Sequence, residues 1–153
     1  MEHTTIAREI HIDASPEVVF DVVSRPEHVQ EWWPDEAVYP PVPGGRGRIR
    51  FGDPSQGGSW VQFTVVDAIP PRLFSFRWTH DEGQTAAAGN SFLVVFELEP
   101  AGTGTRLRLT ETGFCERGWD EATIAAQYAD HVSGWDHFLP RLPAHVAELG
   151  ASA

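Results

Sequence analysis

Glu111 and His131 are the residues whose chemistry would matter most if the fold brought them together. Glu111 follows Leu107 and Leu109 in the run Arg106 to Thr112, and a period of two places it on the same apolar face as those leucines. A carboxyl withdrawn from water titrates upward unless it is paired. Paired with an imidazole in an apolar space, it would form a general acid/base couple suited to proton abstraction beside a carbonyl. Two readings stand for each residue. Glu111 is either a strand-end group in solvent or a cavity carboxyl, and His131 is either a hydrogen-bonded interfacial histidine or its partner. Tyr128 and His80 are further polar handles.

Other chemistries find weaker support. His131, His137 and His145 are spaced by 6 and 8 residues, which does not bring them together as ligands on one helix, so no metal site is expected. Cys115 with His131 as a nucleophilic pair lacks an orienting third residue. There is no G-x-G-x-x-G, and Gly44-Gly45-Arg46-Gly47-Arg48 precedes a strand rather than joining strand to helix, so no phosphate-binding cofactor is expected.

The elements that must position these residues read off the hydrophobic periodicity. Thr4 to Asp13 alternates as a half-buried first strand. Ser15, Pro16 and Glu17 then mark a helix start, with Val19, Phe20 and Val23 on one face. A second short helix begins near Pro26, carries Val29, Trp32 and Trp33 at i, i+3 and i+4, and stops at Pro34. Val38 to Gly47 is rich in breakers and reads as a loop. Five strands follow: one around Ile49 and Phe51, then Trp60–Asp67, Leu73–His80, Phe92–Glu99 and Arg106–Thr112. From Ile124 the positions Tyr128, Val132, Trp135, Leu139, Leu142, Val146 and Leu149 step by 4, 4, 3, 4, 3, 4 and 3, the stripe of a long amphipathic helix. Pro140 and Pro143 predict a kink or break near Asp136 to Leu139.

This order implies an α+β helix-grip fold: a curved antiparallel six-stranded sheet wrapped around a long C-terminal helix, with two short helices after strand 1. Residues 1–153 are expected to form a single domain. The inward set is strongly aromatic, and an aromatic cleft with a few polar groups is the usual form of a small-molecule site. The candidate ligand-binding residues are Trp32, Trp33, Phe51, Phe63, Phe76, Trp78, Phe92, Val94, Phe96, Leu109, Glu111, Tyr128, His131 and Trp135. Several have plainer readings. Trp135 could be core, with Gly134 admitting a close sheet approach, and Trp32 and Trp33 could staple the short helices down or gate a cavity mouth.

Composition narrows the partners. The 22 Asp and Glu face 11 basic residues, all arginine, for a formal net charge of −11. Such a surface repels phosphate backbones and anionic headgroups, so nucleic-acid binding is not expected. No apolar run is long enough to span a membrane. One cysteine and a charged N-terminus without a signal-peptide core point to a reducing cytoplasm.

The segments IDASPEVVFDVVSRPEHVQEWW, PGGRGRIRF, LRLTETGF and HVSGWDHFLPRL resemble those of the AHSA-type branch (activator of the heat-shock-protein-90 ATPase) of the START-like, SRPBCC helix-grip superfamily. The resemblance spans Ile6 to Leu149. It implies a Bet v 1-like cavity for a small hydrophobic ligand between the last helix and the sheet. Superfamily members include lipid carriers, polyketide cyclases and dehydratases, and chaperone partners. The resemblance thus leaves three readings: ligand binding, a cyclase, dehydratase or isomerase using Glu111 and His131, and a chaperone-modulating domain contacting its partner through an exposed aromatic segment, Trp32 to Tyr39; a homodimer is a further expected partner arrangement. Glu111 stands where many relatives carry histidine, and the doubled proline in the last helix is uncommon among them.

Overall fold

The computed structural model describes residues 5–151, without the side chains of Pro54 and Ala151. Thr4 and the first three residues, included in the strand and N-terminus readings, lie outside this range. Strand β1 (Thr5–Ile12) leads into helix α1 (Pro16–Ser24) and helix α2 (Pro26–Trp32). Strands β2 (Glu36–Val38), β3 (Arg46–Phe51), β4 (Ser59–Ile69), β5 (Leu73–Trp78), β6 (Phe92–Ala101) and β7 (Gly104–Thr112) follow. Helices α3 (Glu121–Phe138) and α4 (Arg141–Ala151) close the chain.

The strands pair antiparallel in the order β1-β7-β6-β5-β4-β3-β2. The first strand of the sequence therefore closes against the last, and hairpins build the rest. The expected sheet of six strands has seven. The additional strand, β2, lies at the edge of the segment expected to be breaker-rich loop, and it is only three residues long. Its pairing explains Gly47, where a Cβ would sit 1.9 Å from the Val38 carbonyl oxygen. Gly45 is equally constrained, its would-be Cβ 2.1 Å from the Pro40 carbonyl oxygen. These glycines let the backbone crossing close, where a side chain would hold it open.

Both short helices start as their sequences indicate. Ser15 Oγ accepts the Val18 N–H at 3.3 Å, and each helix has proline in its first turn. Their inward faces bury Val19, Phe20, Val22, Val23, Val29 and Trp32. Trp32 is sealed completely, and its indole N–H donates to the Val22 carbonyl at 3.0 Å, so burial leaves no polar atom unpaired. Tyr39 stacks on Phe63 with centroids 4.3 Å apart and donates its hydroxyl to the Ser24 carbonyl at 2.7 Å. Burial first, and Glu27 second, push its phenol well above the ordinary range. The expected exposed aromatic patch from Trp32 to Tyr39 therefore does not exist: Trp32, Trp33 and Tyr39 are all buried. Rings of this size gain far more from the core than a loop position could return.

The C-terminal stripe divides. Helix α3 ends at Phe138, Leu139 donates its N–H to the Trp135 carbonyl, and α4 begins at Arg141. The break falls at Leu139–Pro140, the last position of the expected window and its neighbour, because Pro140 has no N–H with which to continue the helix. Leu139, Leu142 and Val146 are buried, with α4 packed on α1 and α2, whereas in α3 only Trp135 is buried. Helix α3 thus buries one residue fully, while Ile124, Tyr128, Val132 and Phe138 pack half-buried against the core.

Candidate functional site

Glu111 lies at the centre of the space that α3 spans. It occupies the inward face of β7, paired in register with Ile6 of β1 and Val94 of β6, and is fully buried with 0% exposure. The solvent reading of Glu111 is overturned by the continuous pairing of β7 on both sides. Three ring nitrogens converge on the carboxyl. The Trp78 indole donates to Oε2 at 2.8 Å, the Trp135 indole donates to Oε1 at 2.9 Å, and His131 Nδ1 lies 2.8 Å from the same Oε1. A carboxylate that accepts several N–H bonds is stabilised in its charged form even out of water. Both oxygens of the buried carboxyl are therefore engaged by groups of β5 and α3 that strand and helix periodicity place opposite it.

Above this carboxyl opens a cleft of about 460 Å³. Its walls come from five elements or their ends: Trp33 after α2, Phe51 of β3, Val61 of β4, Trp78 and Thr79 at the end of β5, and the face of α3 running from Asp130 to Phe138. Trp33 is the hinge of the aromatic wall, stacking on Trp135 at 5.0 Å and meeting Trp78 edge-on at 5.0 Å and Phe51 at 5.6 Å. His131 sits among Phe92, Trp78 and Phe114 at 4.4, 5.3 and 5.3 Å, with a tenth of its side chain exposed. Its Nδ1 is held by Glu111, and its ring reaches the cleft.

The expected ligand-binding set divides in two. Trp33, Phe51, Trp78, His131 and Trp135 line the cleft, and Glu111 lies directly behind three of them. Trp32, Phe63, Phe76, Phe92, Val94, Phe96 and Leu109 do not line it; they are buried among one another as core. Phe63 and Phe76 stack at 4.2 Å, which shows how the middle of the sheet fills itself. Tyr128 is also absent from the lining and donates its hydroxyl to the Thr5 carbonyl at 3.0 Å, tying α3 to β1. His80 is buried away from the cleft, with Nε2 3.1 Å from Thr64 Oγ1, and desolvation, then Arg46, lower its pKa.

Several lining residues went unmarked by sequence. Thr79, which strand alternation turns outward, has φ 73°, so the chain leaves the pleat after Trp78 and its side chain joins the rim. His131, Gly134, Trp135 and Phe138 stand at i, i+3, i+4 and i+7, a second helical face rotated from the apolar stripe, and that spacing could have been read directly. Gly134 is not a close-approach glycine: a Cβ there would meet nothing within 4 Å. Among the described residues no group of three or more His, Cys, Asp or Glu is placed to hold a metal ion, and no helix is long and apolar enough to cross a membrane.

Comparison with known proteins agrees with this geometry. The family model described as activator of Hsp90 ATPase homolog 1-like protein matches residues 13–147. No curated protein matches the chain. Among solved structures, protein MLL2253 from Mesorhizobium loti is 22% identical, with 94% of this chain and 97% of that one covered at a TM-score of 0.71. The Aha1 dimer from Colwellia psychrerythraea is 22% identical, with 93% and 95% covered at 0.67. DynU16, from the dynemicin biosynthetic locus, is 22% identical over 94% of this chain but only 47% of its own, at 0.70. These likenesses establish a shared fold.

Proposed function

The chain belongs to the activator of Hsp90 ATPase homolog 1-like family, and from that premise we propose that it binds a small hydrophobic or aromatic molecule in the cleft between α3 and the sheet. The observation that carries this reading is the cleft itself: an aromatic wall of Trp33, Phe51, Trp78, Trp135 and Phe138 faced by a few polar side chains, among them His131 on the buried Glu111. Its volume of about 460 Å³ falls within the common range for ligand sites, roughly 300–1,000 Å³. Helix α3 buries only Trp135 fully, and the cleft opens beside its face from Asp130 to Phe138.

Gly134 supplies the test, because a side chain built there meets nothing and extends from a lining position. A panel of fatty acids, sterols and aromatic polyketides is screened by native mass spectrometry and by quenching of tryptophan emission. The expected result is saturable 1:1 binding that Gly134→Phe abolishes while the variant stays folded. Binding unaffected by Gly134→Phe, or no binding across the panel, would sink the reading.

A second reading is favoured by one contact, His131 Nδ1 to Glu111 at 2.8 Å. A carboxylate that orients a histidine reaching a cleft is the arrangement of a general base, so a cyclase, dehydratase or isomerase reaction could use the same pole. The chaperone-modulating reading and a homodimer like that of the Colwellia Aha1 structure rest on family and fold alone. The aromatic segment that would have served as contact patch is inside the core.

A further inference from the structure

The hydrogen bonds around Glu111 specify more than an apolar guest. We infer that the cleft selects ligands ending in an uncharged hydrogen-bond donor, a phenol-type hydroxyl docked on His131 Nε2, and rejects ligands ending in a carboxylate. The inference deepens the binding reading above and rests on it.

Both oxygens of Glu111 are already engaged by indole N–H groups, Trp78 on Oε2 and Trp135 on Oε1. Both indoles can only donate, so the carboxyl is an acceptor on both atoms, as a carboxylate is. With the carboxyl ionised, it has no proton to give, so the third contact, from His131 Nδ1 to Oε1, is an N–H donated by the imidazole. An imidazole with a single proton that spends it on Nδ1 keeps a lone pair on Nε2. Among the described residues no group bonds Nε2, and the only buried side-chain nitrogen or oxygen without a partner is Nδ1 of His80. His131 Nε2 therefore opens onto accessible space, and the space it borders is the cleft. A guest reaching that nitrogen satisfies it by donating.

Charge points the same way. Among the lining residues are Asp130 and two histidines, but no arginine, and the chain contains no lysine. Arg117 bonds the Thr79 hydroxyl at 3.2 Å but stacks over Phe92 and Trp119 and does not itself line the cleft. A carboxylate pushed against the aromatic wall would face the Glu111 charge, with no cation among the lining side chains to replace the water it lost.

Four two-ring probes of similar size separate these effects at about pH 8, where a free imidazole is largely neutral: naphthalene, 2-methoxynaphthalene, 2-naphthol and 2-naphthoate. Affinities are measured by calorimetry and tryptophan quenching. The expectation is that 2-naphthol binds at least about fivefold tighter than naphthalene or its methyl ether. 2-Naphthoate should bind at least about tenfold more weakly than naphthalene. In His131→Phe the ratio of naphthol to naphthalene affinity should fall to about one, whatever the change in naphthalene affinity itself. The wild-type comparison of naphthol with its methyl ether stands independently of that variant's folding. Naphthoate binding as well as naphthol, or naphthol binding no better than the ether, overturns the donor selection while leaving the binding site intact. Failure of all four probes to bind removes the binding reading and this inference together.

Discussion

At the scale of single residues, the decisive fact is that one carboxyl takes three donors from three side chains on two elements. Removing its charge while keeping its shape isolates that effect. In Glu111→Gln the amide retains one acceptor and presents N–H to at least one of Trp78, Trp135 or His131, each of which also offers N–H. A buried donor left facing a donor costs about 1–3 kcal/mol, more where the lost partner was charged. Urea unfolding of Glu111→Gln should show a loss of at least that size with an unchanged denaturant slope. An unaffected midpoint would mean that the bonds contribute nothing to the fold. The pair was half legible in sequence. Alternation put Glu111 indoors and the helix register put His131 and Trp135 across from it, but the bond from Trp78 needed the strand order, which places β5 two strands from β7. The seven expected residues that pack as core lie apart from the cleft for a related reason. Period two tells in from out, whereas the distance between a helix and a sheet decides which inward residues face a guest and which face one another.

At the scale of elements, α3 is set by its ends more than by its length. Pro140 ends it, and Asp120 starts it, with Oδ1 accepting the Thr123 N–H at 2.8 Å. Bonds from the Thr123 side chain first and its amide second hold the Asp120 carboxyl below the ordinary range. A carboxyl lowered by folding stabilises the fold above its unfolded value, near 3.9, and that contribution disappears as pH falls through the lower folded value. With Ile124 and Tyr128 only half-buried, the first turns of α3 have little packing to fall back on. Protection of the Thr123 and Ile124 amides, their exchange measured against the unstructured rate at the same pH, should therefore be high at neutral pH and fall on acidification through the carboxylate range. Asp120→Ala should exchange fast throughout, and slow exchange in that variant would refute the cap as the anchor. The helices were legible because caps and prolines are local signals. Strand β2 was hidden because three residues carry too little alternation, and its existence depends on a non-local pairing with β3.

At the scale of the whole molecule, charge is the property that acts everywhere. Twenty-two acidic residues face 11 arginines, so even complete pairing would leave 11 carboxylates in excess. The pairs that form are mostly at the surface: Arg8–Asp136 at 3.0 Å, Arg25–Asp21 at 3.2 Å, Arg50–Glu36 at 3.4 Å, and Arg106 shared between Glu9 and Glu99. Such pairs contribute about 0–1 kcal/mol each, and salt weakens them. The same salt weakens repulsion among the excess carboxylates, which sums over many longer distances and is relieved when the chain expands. With twice as many acids as bases, relief of repulsion outweighs loss of pairing. Raising sodium chloride from about 10 mM to about 500 mM, which shortens the screening length from roughly 30 Å to below 8 Å, should therefore raise the thermal midpoint. Chloride is the right anion because sulfate would strengthen apolar burial and blur the cause. A midpoint that falls with sodium chloride would mean that the few arginine bridges, rather than the acidic excess, govern the electrostatics of the fold.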